Sequence, residues 1–365
     1  MSWPATTGNR ATLAERRYGA ATGYRTVILS WPVICRIPVR AATVSLLAVV
    51  LALLMGFVSL MIGEVSFSPG EVVSALAGRG SRLSEMFVIE WRLPRVVCAW
   101  IFGAMLGVSG AIFQTITRNP LGSPDIIGFT SGAYTGGIIA ILLIGSTQLV
   151  IMAGAIGGGL LTAVLVYVLA WRGGVQGFRL VIVGIALTAM LASVDTWLIL
   201  TAHLDMAMAA AVWGTGSLNG VSFGYVDHAL ILGVLLLALC VLLSRRLPQL
   251  DFGDDRAAAL GSKPEATRLF GVALGVALVA VATAITGPIA FVALAAPQIG
   301  RKLARSTGTP MVPAACTGAL ILVTADFVAQ RAIPETSFPV GLVTVAIGGL
   351  YLLSVIIGER KKGKL

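Results

Sequence analysis

The chain has 365 residues, of which 57% are hydrophobic and only 12% charged, with a mean hydropathy of +0.93. Soluble domains carry about 25% charged residues, so no aqueous core hides this much apolar surface, and lipid must be the solvent for most of it. The net charge of +10 invites a nucleic-acid partner, but its distribution along the chain points to membrane topology instead.

The first 40 residues hold six arginines and a single acid, Glu15, among Pro4, Pro32 and Pro38. They lack the apolar stretch and small-residue cleavage site of a signal peptide and are expected to form a mobile cytosolic tail along anionic headgroups. A helix needs ~20 apolar residues to cross the hydrocarbon. Residues 41–62 and the uncharged run 96–116 meet that length. Residues 126–171 carry no charge, too many for one crossing; two are expected, with a turn near Gly145-Ser-Thr-Gln148. A fifth span falls at 180–200, interrupted only by Asp195, and a short sixth at 229–244. Gly287-Pro288 breaks the uncharged run 269–300 into a seventh span and a shorter eighth. Residues 306–325 and 339–358 complete ten, within a membrane domain of 41–358, and 359–365 form a basic cytosolic end.

With the amino terminus inside, 21 of the 26 Lys and Arg residues fall in cytoplasmic segments, leaving Arg79, Arg82, Arg92, Arg95 and Arg331 outside. That bias fixes the direction. Residues 206–226 are also uncharged but contain Trp213-Gly-Thr-Gly-Ser-Leu-Asn-Gly220, a poor lipid-facing helix. They are expected to form a re-entrant or surface helix on the outer side, where irregular backbone needs protein or water around it. Cys35, Cys98, Cys240 and Cys316 are scattered, and His203 and His228 are too few for an enzymatic metal site.

Several short motifs admit two readings each. Pro94 disfavours helix at Leu93, so the chain is expected to turn just before the second span. Arg92 and Arg95 there either snorkel to headgroups or offer guanidinium groups to a partner's carboxylates. Asn119-Pro-Leu-Gly-Ser-Pro124, at the cytoplasmic end, is either an ordinary turn or a stiff constriction. In the second case Asn119 caps nearby backbone and Leu121 plugs a narrow water path. Residues 251–268 are either a solvated loop or a handle of two short helices, Asp254 or Asp255 capping the first, Gly261 ending it and Pro264 starting the next. Gly107, Gly110 and Gln114 lie on adjoining turns and are expected to line a path wide enough for a bulky ligand. Asp195 and Asp326 are either structural or part of an ion-coupling site. There is no G-x-x-x-x-G-K-[ST], so this chain does not take ATP in a P-loop.

Glu90-Trp-Arg-Leu-Pro-Arg95, Val108-Ser-Gly-Ala-Ile-Phe-Gln114, Asn119-Pro-Leu-Gly-Ser-Pro-Asp125, Gly287-Pro-Ile-Ala-Phe-Val-Ala-Leu-Ala-Ala-Pro297 and Pro339-Val-Gly341 with Thr344 resemble the FecCD family of ABC-importer permeases, the type II importers of vitamin B12 and ferric siderophores. The resemblance covers roughly residues 41 to 358 and is strongest to the ferric-enterobactin-type subgroup. It implies an all-α integral membrane protein of about ten transmembrane helices, both termini cytoplasmic, in the bacterial cytoplasmic membrane. Such a chain is a translocation subunit and not an enzyme. It passes a ferric siderophore delivered by an extracytoplasmic binding protein or lipoprotein. It holds no cofactor or metal itself; ATP-Mg is used by two separate ABC ATPase subunits. A second FecCD-type permease completes the pore, as a heterodimer in preference to a homodimer. A vitamin B12 or haem importer of the same family and an ion-gradient-driven secondary transporter are the alternatives.

By the same resemblance, Arg92, Arg95 and Arg331 dock the binding protein, although Asp326-Phe-Val-Ala-Gln330-Arg331 sets that last arginine one position off the family's pattern. Asn119 and Leu121 belong to the cytoplasmic gate. Gly253, Asp254, Asp255, Arg256, Ala257, Leu260 and Gly261 form the helix that couples to the ATPase. The family's usual histidine is Gln298 here, which keeps a hydrogen-bonding role and removes a proton-dependent one.

Overall fold

The computed structural model describes residues 26–31, 33–145, 147–171, 177–244, 246–259, 261, 263–306, 308, 310–332 and 337–360. Residues 1–25 of the expected tail lie outside this set. Thr26–Trp31 (β1) and Val33–Pro38 (β2) pair as antiparallel strands, Thr26 opposite Pro38. This hairpin was not expected from the sequence; its β-branched residues favour it, and the surrounding arginines and prolines masked that signal.

Helices stand at all ten expected spans. Seven are long and apolar enough to cross a membrane: α1 (Val39–Met61), α3 (Arg82–Thr117), α5 (Gln148–Ala170), α6 (Gly177–Thr201), α8 (Phe223–Leu243), α10 (Pro264–Thr286) and α12 (Met311–Arg331). The remaining three expected spans are α4 (Phe129–Ile144), α11 (Val292–Ala304) and α13 (Val340–Arg360). Between spans lie α2 (Pro69–Leu76), α7 (Leu204–Trp213) and α9 (Asp254–Ala259).

Two helices form the centre. The apolar stretches of α3 and α10 are each 78% buried, against 17–44% for the other five long helices. The peripheral helices keep one stripe inward and give the rest to lipid. In α1 the buried positions are the small residues Ala41, Ser45, Ala48, Ala52, Gly56 and Ser59 together with Leu60, while Leu46, Leu47, Leu53 and Leu54 are exposed. That spacing of three and four is a helix face, and small side chains let backbones approach where lipid gives no hydrophobic drive for association. The same device joins α4 to α5: Gly132 and Gly136 meet Gly158 and Gly154 so closely that a Cβ on Gly136 would lie 2.1 Å from the Gly154 carbonyl oxygen.

Pro94 does not turn the chain. Helix runs without interruption from Arg82 to Thr117, with Met86–Arg92 wound as a π-helical stretch and Leu93 itself helical (φ −62°). The wider turn shifts the bonding register just ahead of the proline, so the N–H that Pro94 lacks falls at a site already out of register. The expected turn at Gly145–Gln148 is present: α4 ends in a π-helical turn at Ile144, and α5 starts at Gln148.

The glycine-rich segment after α7 is bonded to protein groups, with Gly216 and Leu218 buried and Asn219 and Gly220 exposed. Ser217 N–H donates to the Thr286 carbonyl at 2.6 Å, and Gly341 N–H donates to the Gly216 carbonyl at 2.9 Å. Gly216 (φ 71°) and Gly287 (φ 69°) adopt left-handed conformations where a side chain would strike the Pro288 and Trp213 carbonyls. The segment thus fills the gap where α10 stops and α11 has not begun, supplying the protein surroundings that non-helical backbone requires within a membrane domain.

Candidate functional site

Polar groups gather at the two ends of the central helices. At the end expected outside, an open cavity of about 720 Å³ brings together Arg92, Arg95 and Arg331, with Glu64, Glu90 and Asn219 also on its wall. The three arginines come from α3 and α12, Arg331 lying 236 or more residues from the other two in sequence although the helices pack side by side. Their chemical states differ. Arg95 forms a forked ion pair with Asp326 (Nε to Oδ2 2.9 Å, Nη2 to Oδ1 2.8 Å), and its Nη1 donates to Asn219 Oδ1. Its side chain is 13% exposed and that of Asp326 only 1%. Gln330 Nε2 donates a further bond to Asp326 Oδ2 at 2.7 Å.

Arg92 instead donates to main-chain carbonyls, Leu60 at 2.8 Å and Val65 at 2.6 Å, and stacks beside Phe67 and Phe87. Arg331 donates to the carbonyls of Ser59 and Ile62 and lies over the Phe327 ring. Neither is ion-paired among the described residues, so both retain charge for an incoming carboxylate. Arg95 does not: its charge is already matched by a buried acid. Asp326 is therefore structural.

At the opposite end, α3 stops at Thr117, and the chain makes a tight loop. Asn119 Oδ1 accepts from Leu121 N–H at 2.9 Å, the local cap anticipated for it. Gln298 Nε2 donates to the Pro120 carbonyl at 2.7 Å, and Tyr351 Oη donates to Gln298 Oε1 at 3.2 Å. The amide at 298 thus hydrogen-bonds the loop, as the sequence suggested. Leu121 is 47% exposed at the loop's tip. Farther along, Asp125 accepts from Thr130 Oγ1 at 2.6 Å and from Phe291 N–H at 3.3 Å, tying the loop to the break before α11. Burial pushes the Asp125 carboxyl above its ordinary range despite those two bonds.

Beside this loop lies the polar segment 251–268. It is a 3-10 turn (Leu247–Phe252), the single short helix α9, and then Pro264 opening α10 directly. The second short helix expected from the sequence is the first turn of α10; Pro264 at the first helical position starts a helix of any length equally well. Gly253 (φ 97°) and Gly261 (φ 79°) adopt the left-handed turns that bound α9. Asp254 sits in its first turn, not at its cap. Ala257 is buried, while Asp255 and Arg256 are exposed. Leu260 lies outside the described residues.

Asp254 Oδ1 accepts from Arg118 Nη2 at 2.8 Å and from Arg268 Nη2. Burial works upward on that carboxyl, but the guanidinium groups of Arg268 and Arg118 outweigh it and hold it below the usual range. Asp251 behaves oppositely: burial raises it against the pull of Arg118 and Arg301. Arg118, Arg268 and Asn219 were not singled out in the sequence. Arg118 and Asn219 have partners more than a hundred positions away, with no local pattern to mark them, and Arg268 meets Asp254 only across the turn between α9 and α10.

Gly107, Gly110 and Gln114 do not line open space. A Cβ on Gly107 would lie 2.2 Å from the Ala314 carbonyl oxygen, and one on Gly110 would lie 1.7 Å from that of Ala293. Gln114 is buried and donates from Nε2 to the Leu294 carbonyl at 3.0 Å. The cause is Pro297, inside α11: having no N–H, it frees the Ala293 carbonyl four residues earlier. Gly110 makes room for that carbonyl. These three residues are contacts between α3 and its neighbours α11 and α12, which corrects the expectation of a lined path.

Comparison with known proteins gives one pattern. The FecCD transport family profile matches residues 50–358. The chain is 46% identical over 291 residues to the ferric enterobactin transport system permease protein FepG of Escherichia coli K12, covering 80% of this chain and 88% of that one. It is 35% identical to the probable siderophore transport system permease protein YfhA of Bacillus subtilis 168, covering 79% and 87%. A solved inward-facing ABC transporter assigned to the metal-chelate type superposes with a TM-score of 0.78 at 26% identity, over 87% of this chain and 99% of that one.

Proposed function

This chain belongs to the FecCD transport family, and from that premise we propose that it is the membrane-spanning permease subunit of an ATP-driven importer for a ferric siderophore. It is a multi-pass protein of the bacterial cytoplasmic membrane and a translocation subunit, not an enzyme. The observation that carries this reading is the family match over residues 50–358, together with curated relatives at 46% and 35% identity that are named as permeases of siderophore systems.

An extracytoplasmic binding protein delivers the chelate to the outer face, where its acidic side chains meet Arg92 and Arg331, the two cavity arginines whose charge is unmatched. A second FecCD-type permease, a sibling chain in preference to a second copy, completes the pore. Two ATPase subunits bind ATP-Mg, grip α9 and move it as they close. That motion opens the loop at Asn119–Leu121 on the cytoplasmic side. This chain contributes no nucleotide chemistry; it contributes a path, a docking face and a lever.

Reconstitution in ATP-loaded liposomes tests the proposal. Binding protein, ferric enterobactin, the sibling permease and the ATPase should give uptake that stops when the ATPase is replaced by a hydrolysis-dead variant. Uptake that continues unchanged with the dead ATPase would instead place this chain among transporters driven by an ion gradient.

A further inference from the structure

Arg118 is the last residue of α3's cap and the first before the gate loop, and it adopts the left-handed conformation (φ 50°, ψ 33°). That conformation is disfavoured for a non-glycine residue; here the Asn119 N–H donates to the Gln114 carbonyl at 3.2 Å and closes the helix end. The Arg118 side chain is held twice by the polar segment beside it: Nε donates to the Leu250 carbonyl at 2.9 Å and Nη2 to Asp254 Oδ1 at 2.8 Å. The same carboxylate oxygen takes Arg268 Nη2. Arg268 in turn meets Glu265 Oε2 at 3.4 Å, and Glu265 Oε1 accepts from Tyr167 Oη at 2.6 Å. A continuous set of polar contacts therefore runs from α5 through the first turn of α10 and α9 to the gate loop.

The two arginines on Asp254 are unequal. Arg268 is 7% exposed, so losing Asp254 leaves a buried cation with only the longer contact to Glu265 and carries a desolvation penalty. Arg118 is 44% exposed, and surface ion pairs are worth little and exchange readily with water. Asp254 thus stays with Arg268 and α10, while its bond to Arg118 is the one that can be released. The loop beyond Arg118 is braced locally, Asn119 Oδ1 accepting from Leu121 N–H.

We propose that Asp254 and Arg118 form the releasable link through which displacement of α9 reaches the gate loop, Asp254 acting as the positioning residue for Arg118. The inference rests on the importer reading above and assigns a role to Arg118 that neither the motifs nor the family likeness supplied.

The test uses the complete transporter in liposomes, with Cys35, Cys98, Cys240 and Cys316 replaced by serine and Leu121→Cys as a reporter. Labelling of that cysteine by a membrane-impermeant maleimide on the cytoplasmic side is compared without nucleotide and with ATP-Mg trapped by vanadate. In the parent, labelling should change with nucleotide. In Arg118→Gln that change should shrink about fivefold or more, while the ATPase still co-purifies and hydrolyses ATP; in Asp254→Asn, which sits on the helix the ATPase grips, it should shrink at least as far. The double variant should be no worse than the worse single, and Arg118→Lys should recover part of the response. Single and double variants that respond as fully as the parent would overturn the link alone, as would losses that multiply in the double variant. A parent with bound, active ATPase that shows no nucleotide-driven change would instead overturn the importer reading beneath it.

Discussion

Replacing Arg95 separates a docking residue from a structural one. The forked pair with Asp326 is almost fully removed from solvent on the acid's side. In Arg95→Met, Asp326 keeps only the Gln330 amide as a partner, and an uncompensated buried carboxylate costs about 3–5 kcal/mol. Asn219 also loses its donor, so the segment after α7 is loosened from α3. For a chain of this size the loss corresponds to a drop in apparent melting temperature of about 4–7 °C, readable from detergent-solubilised protein by fluorescence-detected size exclusion after heating. The double variant Arg95→Met with Asp326→Leu should recover much of that loss, because an apolar pair of similar volume replaces a buried ion pair at little cost. Arg92→Gln should leave the melting temperature within a few degrees and weaken capture of the binding protein. If Arg95→Met melts like the parent yet abolishes capture, the assignment of Arg95 to the interior is wrong and it is a docking contact after all.

Other outcomes follow from the same geometry. Gly110→Ala should fail to assemble, since overpacking against backbone costs about 1–3 kcal/mol or more and the Ala293 carbonyl has nowhere to go; Gly157→Ala, with open space around it, should purify normally. Gln298→His should make uptake fall as pH drops through about 6.5, the ordinary imidazole value, because the protonated ring still donates to Pro120 but no longer accepts from Tyr351. Asp254 has a depressed carboxyl, so what it contributes is present above its unfolded value of about 3.9 and is lost as pH falls through its lower folded value. Hydrogen exchange in α9, corrected for intrinsic rates, should therefore stay flat from neutrality down to about pH 4 and rise below it, whereas Asp254→Asn should exchange fast throughout.

The spans were legible because lipid imposes a length and forbids charge. Uncharged runs marked α1, α5, α6 and α12 to within a few residues at most termini, and Gly287-Pro288 marked the break between α10 and α11. The turn expected at Pro94 was not found, since proline alone does not tell whether a π-helical stretch upstream absorbs the missing bond. Glycine was ambiguous in a different way. At Gly107 and Gly110, absence of a side chain serves an open path and a tight contact equally well, and only the carbonyl freed by Pro297 decides for contact. Pairs such as Arg95 with Asp326, or Arg118 with Asp254, join residues more than a hundred positions apart. No local periodicity encodes such pairs; they become visible only when the helices are packed.

The glycine segment after α7 is bonded at Ser217 to the end of α10 and at Gly216 to the start of α13, and Arg95 fastens its neighbour Asn219 to α3. Three helices are stitched at one knot at the end expected outside. An alternating-access cycle built on this chain would then swing about that fastening, with the largest excursions at the far ends of the helices, where Arg118 and α9 sit.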